Sequence, residues 1–275
     1  MSTTARLNDI KSKLALITGA FGGIGSACAF KLAEQGVHPC LTYSSSKQKI
    51  RSLVTGMNEL DPKLKISIHN VDLEDLESIR NLFSEIQEQR NRPVNILISN
   101  AGYDKRITNV WGKPLEEFNK MITINLTASF MLVKGVVDGM RAQHWGRIVF
   151  ISSIAAYGAG LNGCRKLQTL PSYDTLSCFE LIETTRLRRI QSRFDRHDEN
   201  LSSRLAEFNI SVKDVAPAMV GATGMLPDES SVRGLTDTIP LRRLCTPTDV
   251  ANAVNMFVTT GFATGQSLVV GGGLR

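Results

Sequence analysis

The stretch Thr18-Gly19-Ala20-Phe21-Gly22-Gly23-Ile24-Gly25 carries the strongest chemical signal in the chain. Glycines at 19, 23 and 25 permit a tight turn whose backbone approaches a pyrophosphate, with Phe21, Gly22 and Ile24 completing the loop. A helix starting there adds free N–H groups and a positive dipole end, which together make an anion cradle. Such a turn alone is a weak signal, and it gains force from the residues after the second strand. Tyr43-Ser44-Ser45-Ser46-Lys47 offers hydroxyls and a cation where an NAD site places a carboxylate. Ser44, Ser45 and Lys47 therefore suit a ribose 2′-phosphate, which favours NADP over NAD. Serines capping the next helix are the structural alternative, and the two uses are compatible.

These residues need strands and helices in alternation to hold them. Apolar runs predict strands over Lys13–Thr18, His38–Tyr43, Lys65–Asn70, Val94–Ser99, Arg147–Ser152, Ile210–Val215 and Ser267–Val270. Helices are expected over Gly23–Gln35, Lys47–Leu60, Leu73–Gln89, Leu115–Gln143 and Thr248–Val258, the last opened by Pro247-Thr248-Asp249. Continuously apolar strands signal burial on both faces. The expected fold is α/β, a single doubly wound Rossmann domain over residues 1–275 with about seven parallel strands flanked by helices.

At 275 residues, 42% of them hydrophobic, the chain can bury one large core. The net charge of +6 comes from scattered basic residues, which read as a solvated face rather than a nucleic-acid site. Five cysteines (28, 40, 164, 178 and 245) show no Cys-x-x-Cys pair and no metal-ligand spacing with the four histidines. No metal is expected, and reduced thiols point to the cytoplasm. No apolar run approaches the ~18 residues that span a bilayer, and the N-terminus reads as neither secretory signal nor transit peptide.

Taken together the residues resemble the short-chain dehydrogenase/reductase family, in particular its 3-oxoacyl-acyl-carrier-protein reductase-like members. Asp72-Leu73 falls where the family contacts adenine, and Ser99-Asn100-Ala101-Gly102 matches its turn after the fourth strand except at the first residue. Ile124-Asn125-Leu126 matches the mid-helix Asn that supports a proton-relay water. Ile151-Ser152-Ser153 matches the end of the fifth strand, where the second Ser polarises a carbonyl. Asp214-Val215-Ala216-Pro217 with Thr223 resembles the segment that wraps the nicotinamide, although Ala218 stands where Gly is usual. Gly265-Gln266 and Gly271-Gly272-Gly273 resemble the family's C-terminal strand and ending. The resemblance covers residues 13–164 and 200–275. It implies hydride exchange between NADP(H) and a small carbonyl or alcohol, with Asn125 and Ser153 as catalytic residues. The implied cofactor set is the glycine turn, Ser44, Ser45, Lys47, Asp72, Leu73, Asn100, Ala101, Gly102 and Thr223. Each residue also has a plainer use: Asn100 as a tie between strands, Asn125 as the cap of a kink, and Ser153 as the end of a strand.

One element of the pattern fails. The family's proton donor is a tyrosine with a lysine four residues later, one helical turn on; the ammonium lowers a phenol pKa that otherwise lies near ~10. The tyrosine's place, thirteen positions after Ser153, is held by Lys166, and Leu170 stands four further on. Tyr157 is followed by Leu161 and Tyr173 by Ser177, so the chain is read as holding no Tyr-x-x-x-Lys pair. Arg165–Glu199 is also long for the family and dense in mixed charge. Arg165-Lys166-Leu167 can be encoded CGT AAG TTN, which contains the splice-donor-like GTAAGT. Asp195–Glu199 can be encoded GAC CGG CAT GAT GAA, which one base later reads Thr-Gly-Met-Met-Lys (or Asn), a family-like helix. The segment is therefore expected to be partly translated intron or out-of-frame sequence, the rival being a true insertion in a diverged pseudoenzyme. The family assembles through the helix that begins at this tyrosine, so the change bears on oligomer formation too. The loop Met219–Leu235, with apolar Met225 and Leu226, is expected to close over a partly apolar substrate.

Overall fold

The computed structural model describes residues 7–45, 47–105, 114–154, 201–224, 234 and 236–274. Seven strands form one all-parallel sheet: β1 (Leu14–Ile17), β2 (His38–Tyr43), β3 (Ser67–Asn70), β4 (Ile96–Ser99), β5 (Gly146–Ile151), β6 (Ile210–Pro217) and β7 (Gln266–Val270). Their order is β3-β2-β1-β4-β5-β6-β7. The chain order reverses between β1 and β4, so loops on either side part there and leave a crevice at the strands' C-terminal ends.

Helices are α1 (Gly23–Ala33), α2 (Lys47–Leu60), α3 (Leu76–Arg90), α4 (Leu115–Ile122), α5 (Ala128–Gln143), α6 (Leu201–Ala206) and α7 (Pro247–Thr259). Strand periodicity decides which helix each residue meets. Ala15 and Ile17 of β1, with Ile96 and Ile98 of β4, pack among α1, α2 and α7. Leu14, Leu16 and Leu97 face the opposite way, onto α3, α5 and α6. Both sheet faces are covered, as the unbroken apolar strands require.

The structure corrects several expectations. The stretch Leu115–Gln143 is not uniform: a π-helical turn at Thr123–Thr127 separates α4 from α5. Its most apolar 18-residue window has a mean hydropathy of 1.3, enough to cross a membrane by length and composition alone. Here Leu132, Val133, Val136 and Met140 instead bury one of its faces on the sheet. Helix α3 starts three residues later than expected because the Asp75 side chain accepts the Glu77 N–H at 2.9 Å and caps it. Thr246, rather than Thr248 or Asp249, caps α7: its hydroxyl accepts the Asp249 N–H, and the Asp249 carboxylate accepts the Thr246 N–H. Pro247 is then the first helical residue, where its missing N–H costs nothing.

Two basic residues contradict the solvated-face reading. Arg147 on β5 is 0% exposed and Lys213 on β6 is 1% exposed. Arg147 donates to the carbonyls of Val258 (3.2 Å), Gly146 (2.8 Å), Asn209 (3.2 Å) and Leu7 (2.7 Å). Lys213 donates to the carbonyls of Phe257 and Thr260. Both cations thus cap the C-terminus of α7, where unpaired carbonyls and the negative dipole end favour positive charge.

Burial, with Arg147 adding to it, pulls the Lys213 ammonium from 10.5 to about 7. Between those values the unfolded chain holds a proton that the folded chain releases. Lys213 therefore adds stability as pH rises above 7, and that contribution is lost as pH falls through 7. The urea midpoint is expected to rise between about pH 7 and 8.5, with a smaller slope in Lys213→Met. Equal slopes in the two proteins would refute this account.

Candidate functional site

The glycine turn lies at the C-terminal edge of β1, beside the crevice. Helix α1 begins at Gly23 with no side-chain cap on its N-terminus and no acidic residue in its first turn. Both features leave that end suited to an anion. Gly19 takes a φ of +62°, and a Cβ at Gly25 would stand 2.4 Å from the Gly19 carbonyl oxygen. A Cβ at Gly23 would meet the Ala222 carbonyl oxygen at 2.6 Å and Thr223 Cγ2 at 3.2 Å, so the loop after β6 lies directly on the turn. Gly25→Ala must push the Gly19 carbonyl away. It is expected to weaken dinucleotide binding by more than about tenfold, read by fluorescence titration.

Thr18 and Asn100 brace this turn against β4. The Thr18 hydroxyl accepts the backbone N–H groups of Asn100 and Ala101, both at 3.0 Å. The Asn100 carboxamide donates back to the carbonyls of Thr18 (2.8 Å) and Gly19 (3.3 Å). Thr42 Oγ1 accepts the Gly19 N–H at 3.3 Å, which ties in β2. Among the described contacts, the Asn100 side chain is occupied in tying strands and fixing Gly19.

Asn125 lies in the π-helical turn. Its carboxamide accepts the Tyr103 N–H at 2.8 Å and donates to the Tyr103 carbonyl at 2.9 Å. The turn is needed because this pairing pulls Asn125 toward the strand-four loop, and Ala128 N–H then reaches back to Thr123. The Asn125 carboxamide is therefore spent on Tyr103. Any relay through Asn125 falls to its main-chain carbonyl, which also accepts the Ser129 hydroxyl at 3.0 Å.

Direct contacts join Gly19, Gly25, Asn100 and Ala101 into one cluster, place Thr223 on Gly23, and set Gly102 beside Asn125. Half-buried Phe21, Gly22 and Ile24 complete the turn. Ser153 follows β5 on the same edge and is half-buried, one residue after the Ser152 N–H that donates to Val215 at 2.9 Å. Beneath it Asp214 is buried, and burial raises its carboxyl pKa while the Ser267 and Ser152 hydroxyls counter that shift. Ser44 and Ser45 are exposed at the end of β2, and Lys47 opens α2 with its side chain outside the described residues. Exposed Asp72 accepts the Glu74 N–H at 2.9 Å, whereas the Leu73 side chain belongs to the core. Leu73 can therefore offer a ligand only its backbone.

The chain does hold one Tyr-x-x-x-Lys spacing, Tyr43 to Lys47. Tyr43 ends β2 and packs on the core, and Lys47 begins α2, so no helical turn aligns them. The reading that the pair is missing thus concerns the stretch after β5. Tyr157, Cys164, Lys166, Leu170, Tyr173, Cys178, Arg165–Glu199, Met225 and Leu226 lie outside the described residues. Sequence reasoning quoted Thr18 with the turn but gave it no role, and missed Thr42 as part of the site. A hydroxyl among the buried residues at the end of an apolar strand was the available signal.

The family model for short chain dehydrogenase matches residues 13–164. The 3-oxoacyl-[acyl-carrier-protein] reductase FabG of Rickettsia bellii is 31% identical over 97% of this chain and 98% of its own. Dehydrogenase/reductase SDR family member 4 of Rattus norvegicus is 26% identical over 99% of this chain and 90% of its own. Among solved structures, a short chain dehydrogenase from Burkholderia cenocepacia in complex with NADP superposes with a TM-score of 0.77 at 22% identity, over 96% of this chain and 98% of that one. A short-chain type dehydrogenase/reductase from Mycobacterium marinum gives 0.78 at 20% identity, over 98% of each. The fold, the ordered motifs and these matches agree: the chain belongs to the short-chain dehydrogenase/reductase family.

Proposed function

We propose that this chain derives from an NADP(H)-dependent reductase of a small ketone or 3-oxoacyl group and, as written, holds the cofactor with little turnover. The observation that carries this reading is the absence of any Tyr-x-x-x-Lys pair after Ser153 in a chain that keeps the rest of the pattern. The Rickettsia relatives named as 3-oxoacyl reductases support the substrate class, and the NADP complex of the Burkholderia structure supports the cofactor. The family model's match ends at Cys164, one residue before the anomalous segment, while the relatives align over 97% or more of the chain and so across Arg165–Glu199 as well.

The residues present fit a dinucleotide. The uncapped start of α1 would take the pyrophosphate, beside a turn that a Cβ at Gly19 or Gly25 would distort by meeting Ala101 or the Gly19 carbonyl. Ser44, Ser45 and Lys47 would take the 2′-phosphate, Asp72 and the Leu73 backbone the adenine, and Thr223 the nicotinamide end. A bound NADPH supplies hydride to a carbonyl carbon. Ser153 would donate a hydrogen bond to the oxygen on which negative charge develops. Asn125 would position the loop through Tyr103 and present its main-chain carbonyl to a relay water. The sequence after β5 keeps no Tyr-x-x-x-Lys pair to deliver the proton, a loss of on the order of 10²–10⁴ in rate.

The alternative is a non-catalytic dinucleotide-binding protein that senses the cofactor or scaffolds a partner, favoured if the message truly encodes Arg165–Glu199. The proposed ligands are small molecules rather than nucleic acid or membrane. The free thiols of Cys28, Cys40 and Cys245 support a reducing, cytoplasmic setting, and assembly through the altered segment is not expected. The chain as written, assayed on a ketone panel with NADPH, is expected to stay near background. Turnover at an ordinary enzyme rate, of order 1 s⁻¹ or more, would overturn the proposal. Sequencing spliced transcript across the segment separates the two origins: an in-frame Tyr-x-x-x-Lys marks retained intron, and a message matching the chain marks a true insertion.

A further inference from the structure

At the N-terminal edge of the sheet, the edge away from the glycine turn, a cleft of about 230 Å³ is lined by His38, Lys65, Gln89, Arg90 and Arg92. These residues come from four places. His38 opens β2, Lys65 precedes β3, Gln89 and Arg90 end α3, and Arg92 leads toward β4. The lining carries two guanidiniums, an ammonium, an imidazole and a carboxamide, and no carboxylate.

Like charges brought together without a counterion repel one another. Among the described residues, Lys65, Arg90 and Arg92 form no ion pair. Arg92 spends one N–H on Asn95 Oδ1 at 3.2 Å. His38 Nδ1 accepts the Lys65 N–H at 3.2 Å, which leaves Nε2 to carry the proton of the neutral ring. Burial, then Arg90, Arg92 and Lys65, hold the His38 pKa below its usual value, and Asp61 alone opposes them. Placing Arg90 at the end of α3 satisfies the helix dipole. That role does not account for Lys65, Arg92 and His38 converging on the same space.

We propose that this cleft is a binding site for a phosphate-type oxyanion, separate from the dinucleotide site. Two planar guanidinium forks and an ammonium suit a tetrahedral dianion, whose oxygens accept from several directions at once. A carboxylate, with two oxygens in one plane, would leave part of the donor set unused. The volume lies below the range for a whole drug-sized ligand, so the cleft admits the phosphate group while its carrier stays outside. The opposite sheet edge holds the glycine turn, so occupancy here does not compete with the cofactor.

The test is an NMR titration of the full chain with inorganic phosphate and, separately, with glycerol 3-phosphate, following the His38 ring. Sulfate serves as a non-titrating dianion for the pH profile. Expected results are saturable shifts with millimolar or tighter affinity, and a His38 titration midpoint raised by about half a unit or more in sulfate. Lys65→Gln combined with Arg90→Gln should weaken binding at least about tenfold while leaving NADPH affinity unchanged. Tighter binding of the ester would assign the phosphate to a carrier molecule, and equal binding would assign it to the free ion. Shifts that fail to saturate, that persist in the double variant, or that NADPH abolishes would overturn the proposal.

Discussion

Replacing Arg165–Glu199 with a family-like helix carrying Tyr-x-x-x-Lys is expected to raise NADPH-dependent ketone turnover by on the order of 10²–10⁴ over the chain as written. The size reflects the missing group. On the proposed reading, hydride transfer would leave an alkoxide whose charge Ser153 would stabilise, with no Tyr-x-x-x-Lys acid after β5 in the sequence to neutralise it. A phenol near ~10 is a poor donor at neutral pH unless an ammonium stands one helical turn away, so Tyr and Lys must return together. Restoring Tyr alone should recover only a small part of the rate. The comparison is made by absorbance at the reduced nicotinamide band on the same ketone panel. Equal rates before and after repair would mean that another residue supplies the proton.

Arg147→Met is expected to destabilise the fold by about 3–5 kcal/mol. The guanidinium satisfies four carbonyls, those of Gly146, Asn209, Val258 and Leu7, and its charge centre lies 4.3 Å from the Trp145 ring centroid. A methionine keeps the bulk and abandons every donor, so the Val258, Gly146, Asn209 and Leu7 carbonyls lose it while Lys213 still serves Phe257 and Thr260. Trp145 Nε1 also donates to the Leu7 carbonyl at 2.9 Å, so the loss would loosen the chain's entry into the sheet as well. Burial lowers the Arg147 pKa to about 10, so the group stays charged at neutral pH. Arg147→Lys, with a single point of donation, should lie between the two. Urea unfolding monitored by Trp fluorescence checks the order, and a midpoint in Arg147→Met equal to that of the parent would refute it.

The sheet was readable because both its faces are apolar. All seven strands fall where continuous hydrophobic runs place them, with ends moving by one or two residues. The turn at Gly19–Gly25 was readable because only glycine tolerates its contacts. What escaped the sequence were features set by distant partners. The π-helical turn exists because Asn125 reaches Tyr103, and no periodicity within 115–143 announces that pairing. Arg147 and Lys213 count in the sequence among the scattered basic residues, and only the fold shows α7 presenting its carbonyls to them. Thr246 hid behind Pro247, since proline draws attention to itself as the breaker while the cap stands one residue earlier. The basic cleft was invisible for the same reason: its residues come from four separate places in the sequence.

An NADP site that has kept its cofactor ligands and lost its proton donor is tested by a nicotinamide-fluorescence titration of the chain as written. Saturable NADPH binding is expected, at least about tenfold tighter than NADH, lost in Gly25→Ala and accompanied by no oxidation when ketone is added. Equal affinity for NADH, no binding at all, or brisk oxidation on adding ketone would contradict it.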